Sequence, residues 1–179
     1  MTRLLSLVRD RTGTAAVEMA LVLPVLMPLL FGAMELGNYF WSEHTLQKAV
    51  RDAARYAARL PMTDYTFSGS CPNAYTPTAT TLQQIQRVAK AGDPDGDFDG
   101  DGTQDARLAG WTSDSMTTVT VTCDTSGTYT GIYSDFPHGV PVVTVSATVP
   151  YDGFFGSLGF IDFSTFNLNA TDQAAMMGA

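Results

Sequence analysis

The sequence predicts an α+β fold: a long N-terminal helix, membrane-length and apolar at its start, that continues as an amphipathic helix packed on a small antiparallel sheet. Three observations predict it. Residues 19–34 (MALVLPVLMPLLFGAM) carry no charge. From Leu36 to Leu60 there is no proline, and Gly37 is the only glycine, while apolar side chains recur at spacings of three and four. After Pro61 the pattern changes to short alternating β-branched runs separated by Pro, Gly, Ser and Thr.

The first element is the apolar stretch with its approach. Residues 1–13 form a short basic leader, with Arg3, Arg9 and Arg11 against Asp10. Gly13 closes it, and Glu18 follows five residues later. The membrane segment is placed at 14–35, and a helix of that composition extends roughly 31 Å, enough for a hydrocarbon core. The arginines before it predict a cytoplasmic N-terminus and an exported C-terminal domain. A carboxylate inside such a segment costs roughly 2.5–3.5 kcal/mol if it meets lipid unpaired, so Glu18 is expected to have a use. Pro24 and Pro28 lie on one helical face and predict a kink or local loosening. A secretory signal peptide is the competing reading. Glu18 and the absence of a small-x-small cleavage site before a polar start count against it.

The second element, 36–60, continues the helix. Leu46, Val50, Ala53, Ala57 and Leu60 form one apolar seam. Lys48, Arg51, Arg55 and Arg59 fall on the opposite side; the Arg51, Arg55 and Arg59 row is read first as a solvated face, the alternative being contact with acidic partners or lipid head groups. Tyr39, Phe40 and Trp41 stand where an interfacial aromatic belt is expected. Pro61 stops the helix.

At this point the residues resemble a known family. Gly13-Thr14-Ala15-Ala16-Val17-Glu18-Met19-Ala20-Leu21-Val22-Leu23-Pro24, then Phe31-Gly32-Ala33-Met34-Glu35-Leu36-Gly37 and Ala53-Ala54-Arg55-Tyr56-Ala57-Ala58, look like TadE. This is the family of minor pseudopilins of the tight-adherence (Tad, or Flp) pilus, and the resemblance is strong over residues 11–60. It implies a pilin-like fold and a single-pass protein of the bacterial inner membrane, with its C-terminal domain periplasmic. It also implies a cut between Gly13 and Thr14 by a prepilin peptidase, with Glu18 then at mature position five as an assembly contact. The implied partners are that peptidase, other pseudopilins and the Tad assembly-platform proteins. The chain departs from the major Flp pilin, which usually has Tyr where Met19 stands and is very short when mature. TadG relatives are usually longer and often carry a von Willebrand-type domain. A minor subunit needed for assembly of an adhesive pilus is the resulting expectation.

The chemistry of the motif stands apart from the name. Glycine removes the side chain where a peptidase must reach the backbone. A cut there gives Thr14 a free α-amine one helical turn from Glu18, and the two can pair within a chain or between neighbours.

Residues 61–179 make the exported domain. They hold three basic groups against thirteen acidic ones, a net of −10, which excludes phosphate-backbone binding and so nucleic acid. Cys71 and Cys123 are the only cysteines. In an exported domain they are expected to pair, which stabilises the fold by about 4 kcal/mol in the chain-entropy model. Thr81 to Gln84 reads as a capping box opening a helix whose apolar face is Leu82, Ile85, Val88 and Ala89 and which Gly92 ends. Strands are expected at Thr117–Cys123 and Val142–Val149, with a third at Phe166–Met177.

The loop 93–105 (DPDGDFDGDGTQD) is the one cluster with metal-ligand spacing. Asp97, Asp99, Asp101, Gly102 and Asp105 match positions 1, 3, 5, 6 and 9 of an EF-hand-like calcium loop. Asp93 and Asp95 belong to a weaker overlapping frame. Position 12 falls on Leu108 instead of a bidentate glutamate, so calcium is the expected cation only at an affinity on the order of 10⁻⁴–10⁻³ M. The alternative is a solvated acidic loop.

The remaining features carry little chemistry. Asp124-Thr125-Ser126-Gly127-Thr128 reads as a β-turn better than as a metal-ion-dependent adhesion site. The aromatic stretch 153–163 is expected to pack beneath the helix. His44 and His138 have no recognisable nucleophile partner, so the chain is read as a non-enzyme. The second functional reading is a membrane-anchored or secreted calcium-binding module unrelated to pili.

Overall fold

The structure, a computed structural model, describes residues 13–67, 75–125, 130–133, 139–154 and 165–177. Helix α1 spans Thr14–Arg59, 46 residues, and runs unbroken through Pro24 and Pro28. By contact density the chain divides into two units, up to Asn38 and from Tyr39 onward. In the first unit every residue from Thr14 to Met34 is exposed. Apolar side chains thus stand exposed along this length of helix, as in a lipid- or helix-facing segment.

The second unit is α+β. Strands β1 (Tyr65–Phe67), β2 (Tyr75–Pro77), β3 (Thr117–Asp124), β4 (Val140–Pro150) and β5 (Asn167–Ala175) form one antiparallel sheet in the order of the chain. Helix α2 (Ala79–Lys90) lies between β2 and β3 in sequence. Register explains the core. Val121 opposes Val143, Val119 opposes Val145, and Val149 opposes Leu168. Directly opposed residues share a face, so these side chains line one side of the sheet together. Against them pack Leu46, Val50, Ala53 and Ala57 of α1, all fully buried, as the seam requires, with Leu60 at the margin. Ala49 and Ala54 widen the seam, and their small side chains permit close approach of helix and sheet.

The three longer strands appear where alternation predicts them, with ends shifted by one or two residues. β1 and β2 were not anticipated. The α2 cap needs a correction. The N-cap is Thr78, one turn before Thr81; its hydroxyl accepts from the Thr81 N–H and bonds the Thr81 hydroxyl at 2.8 Å. Gln84 instead sits about one and a half turns into the helix. At the other end, Gly92 adopts φ of 100° and donates its N–H to the Val88 carbonyl, closing α2 as a left-handed C-terminal residue does.

Two expectations about aromatic residues need adjustment. Tyr39 does not stand free in a belt with Phe40 and Trp41: its ring meets Tyr151 edge-on at 5.3 Å and joins the rim of the core. Phe154 is exposed, so it does not pack beneath the helix, and residues 155–163 of that stretch lie outside the described residues.

Candidate functional site

Gly13 directly precedes α1. It is exposed, and a Cβ there would meet nothing within 4 Å. Its φ is not in the left-handed region. Among the described residues nothing demands glycine at this position. Residues 1–12 lie outside the described residues. Glu18 is exposed on α1, one turn from Thr14, and makes no hydrogen bond or ion pair among the described residues. A helix that starts at Thr14 places any α-amine formed there at its positive end, where an anion is favoured.

The acidic loop is built from backbone N–H groups folded onto carboxylates. Asp97 accepts from Gly100 at 2.8 Å and Asp101 at 3.1 Å through Oδ1, and from Gly102 at 2.8 Å through Oδ2. Asp105 Oδ2 accepts from Phe98 at 2.7 Å. Gly100 and Gly102 have φ of 78° and 86°, which lets the chain turn so tightly. One carboxylate oxygen each from Asp97, Asp99 and Asp105 lies within 4.8 Å of the others. Oxygens that share a calcium ion at 2.3–2.6 Å are at most about 5 Å apart, so the three fit a single hard cation. Their role there would be structural, holding the loop by charge.

Asp101 is not part of this triplet. Its Oδ1 accepts from the Thr103 hydroxyl at 2.6 Å and the Thr103 N–H at 2.7 Å. These bonds, the hydroxyl first, hold its carboxyl below the usual carboxylate range. Asp93 caps the Asp95 N–H at 2.8 Å, and neither lies in the triplet. Leu108, at position 12, has an aliphatic side chain that cannot ligate a cation, and it is buried in the core.

A cavity of about 540 Å³ adjoins the loop, lined by Lys48 and Asp52 of α1 together with Phe98, Asp99, Asp105 and Arg107. Arg107 Nη1 meets Asp52 Oδ2 at 3.0 Å, tying the end of the loop to the helix. That pair was not legible in the sequence, because the two residues are 55 apart. Cys123 on β3 is in a disulfide and is buried; Cys71 lies outside the described residues. His44 is exposed on α1, and His138 and residues 126–128 lie outside the described residues.

Among the described residues one apolar helix, Thr14–Ala57, is long and apolar enough to cross a membrane by length and composition, which fits a single-pass membrane protein. No curated protein and no solved structure matches the chain. The family model described as TadE-like protein matches residues 13–55, a span that begins at Gly13 and takes in Glu18, the exposed apolar helix and most of the buried seam. Those residues of the chain are TadE-like.

Proposed function

We propose that this protein is a minor pseudopilin of a Tad-type pilus, anchored by the apolar part of α1 and matured by cleavage after Gly13. The observation that carries the reading is the TadE-like match over 13–55. Two features of the same segment support it: a glycine that no contact among the described residues requires, and a carboxylate without a partner among them. On this reading cleavage frees the Thr14 amine, and Glu18 of the same or a neighbouring subunit pairs with it in the bilayer. Pairing offsets the cost of the charge and fixes register between subunits. The peptidase, other pseudopilins and the assembly platform are the partners. The test is the mass of the mature N-terminus in a strain that makes the pilus. A chain beginning at Thr14 is expected, and Gly13→Ala is expected to leave the leader attached. A wild-type chain that begins after residue 33 would overturn the reading.

A second reading, an anchored calcium-binding module unrelated to pili, is favoured by the carboxylate triplet of Asp97, Asp99 and Asp105. It predicts binding heat when millimolar calcium is titrated into the full-length chain in detergent, and a loss of that heat in Asp97→Asn. Absence of heat in the wild type removes calcium from the account.

A further inference from the structure

We propose that the outward face of α1 between Lys48 and Arg59 docks a second copy of this chain, which presents its acidic loop 93–105. The starting observation is the distribution of cations within the second unit. Off α1 the described residues hold Arg87, Lys90 and Arg107, and each is ion-paired within the chain: the first two with Asp114, the third with Asp52. On α1 stand Lys48, Arg51, Arg55 and Arg59, at spacings of three, four and four, which puts them on one stripe. All four are exposed, and only Arg51 has an ion pair among the described residues, with Asp172 of β5 at 3.2 Å. Arginines at i and i+4 repel one another along a helix. Asp52, four residues after Lys48 and three before Arg55, is the acidic group placed among them, and its carboxylate is engaged by Arg107 at 3.0 Å; none lies between Arg55 and Arg59.

The complement is on the same chain. The loop 93–105 carries six aspartates, and none of them is ion-paired among the described residues. The loop flanks α1 on the side of Thr45, Lys48 and Asp52, where these residues line a cavity with Asp99 and Asp105. Asp93 and Asp95 also act electrostatically on Tyr56. Arg55 and Arg59 make no ion pair with that loop or with any other of the described residues. An acidic loop from a second copy matches the stripe in charge. Because the two patches differ, the contact is heterologous: each copy keeps a free stripe and a free loop, and copies add in series. This deepens the pilus reading by naming a lateral contact outside the membrane segment, yet it holds whether or not Gly13 is cleaved.

The test places a photo-crosslinking amino acid at Arg55 of the full-length chain, reconstituted in vesicles of phosphatidylcholine alone and with added phosphatidylglycerol. The expected result is a dimer adduct joining position 55 to residues 93–105 of another copy in both vesicle types. Its yield is expected to fall about tenfold in high salt and about tenfold in Arg59→Glu, and to recover when Arg59→Glu is mixed with a copy carrying Asp95→Lys. Adducts to lipid alone, adducts to any other segment, a yield that ignores salt, or absence of dimers would each overturn the proposal. The N-terminal mass experiment is untouched by any of these, so the two readings fail separately.

Discussion

Tyr65 shows how one side chain joins elements that are close in sequence and different in kind. Its hydroxyl, at the start of β1, donates to the Ala57 carbonyl near the end of α1 at 2.8 Å. That carbonyl belongs to the last turn, where helices run short of i→i+4 donors; its one backbone partner among the described residues outside the helix is the Leu60 N–H at 3.3 Å. Burial, then the charge of Asp64, then Tyr56, raise the phenol above its ordinary value of 10. The sign follows from linkage. The folded chain keeps the proton where the unfolded chain loses it, so stability is whole below about pH 10 and falls as pH rises beyond that. Tyr65→Phe is expected to cost roughly 0.5–1.5 kcal/mol at neutral pH through the lost hydrogen bond. It is also expected to flatten the alkaline loss. Chemical denaturation at steps from pH 7 to 11 reads both effects, and identical alkaline slopes in the two proteins would refute the role given to the phenol.

At the scale of elements, legibility followed the length of the pattern. β3, β4 and β5 are eight, eleven and nine residues long, enough for alternation to repeat. β1 and β2 have three residues each and offer no period. They form because Tyr65–Phe67 and Tyr75–Pro77 pair with each other and Tyr75 meets Val121, a tertiary cause that local sequence does not carry. The α2 cap was misplaced by three residues for a similar reason. Thr78 and Thr81 are both good capping residues, and Gln84 made the later one look better. The choice between them is settled by the strand that ends at Pro77. The acidic loop was legible from aspartate spacing and glycine positions. What spacing did not show is that Asp101 turns to Thr103 while Asp105 joins Asp97 and Asp99, since that depends on rotamers. The seam of α1 was readable because its period of three and four persists from Leu46 to Ala57.

At the scale of the molecule, apolar side chains do two unlike things. Leu26 is half exposed among side chains that are all exposed, whereas Val145 is fully buried between Val119 and Asp172 on the neighbouring strands. Hydrophobicity at position 26 is therefore spent on a lipid or helical environment, and at position 145 on the fold itself. Leu26→Arg puts a charge at the middle of the apolar stretch, at a cost of roughly 2.5–3.5 kcal/mol to insertion. It is expected to move the chain out of the carbonate-resistant membrane fraction while leaving the unfolding midpoint of the domain unchanged. Val145→Ala removes two buried methyl groups and leaves a small cavity, worth about 2 kcal/mol. It is expected to lower that midpoint by roughly 5–10 °C and to leave membrane retention intact. Fractionation and thermal unfolding of both variants decide the matter together. If Leu26→Arg destabilises the domain as much as Val145→Ala does, the exposed stretch is core in disguise, and a membrane or assembly role for it fails.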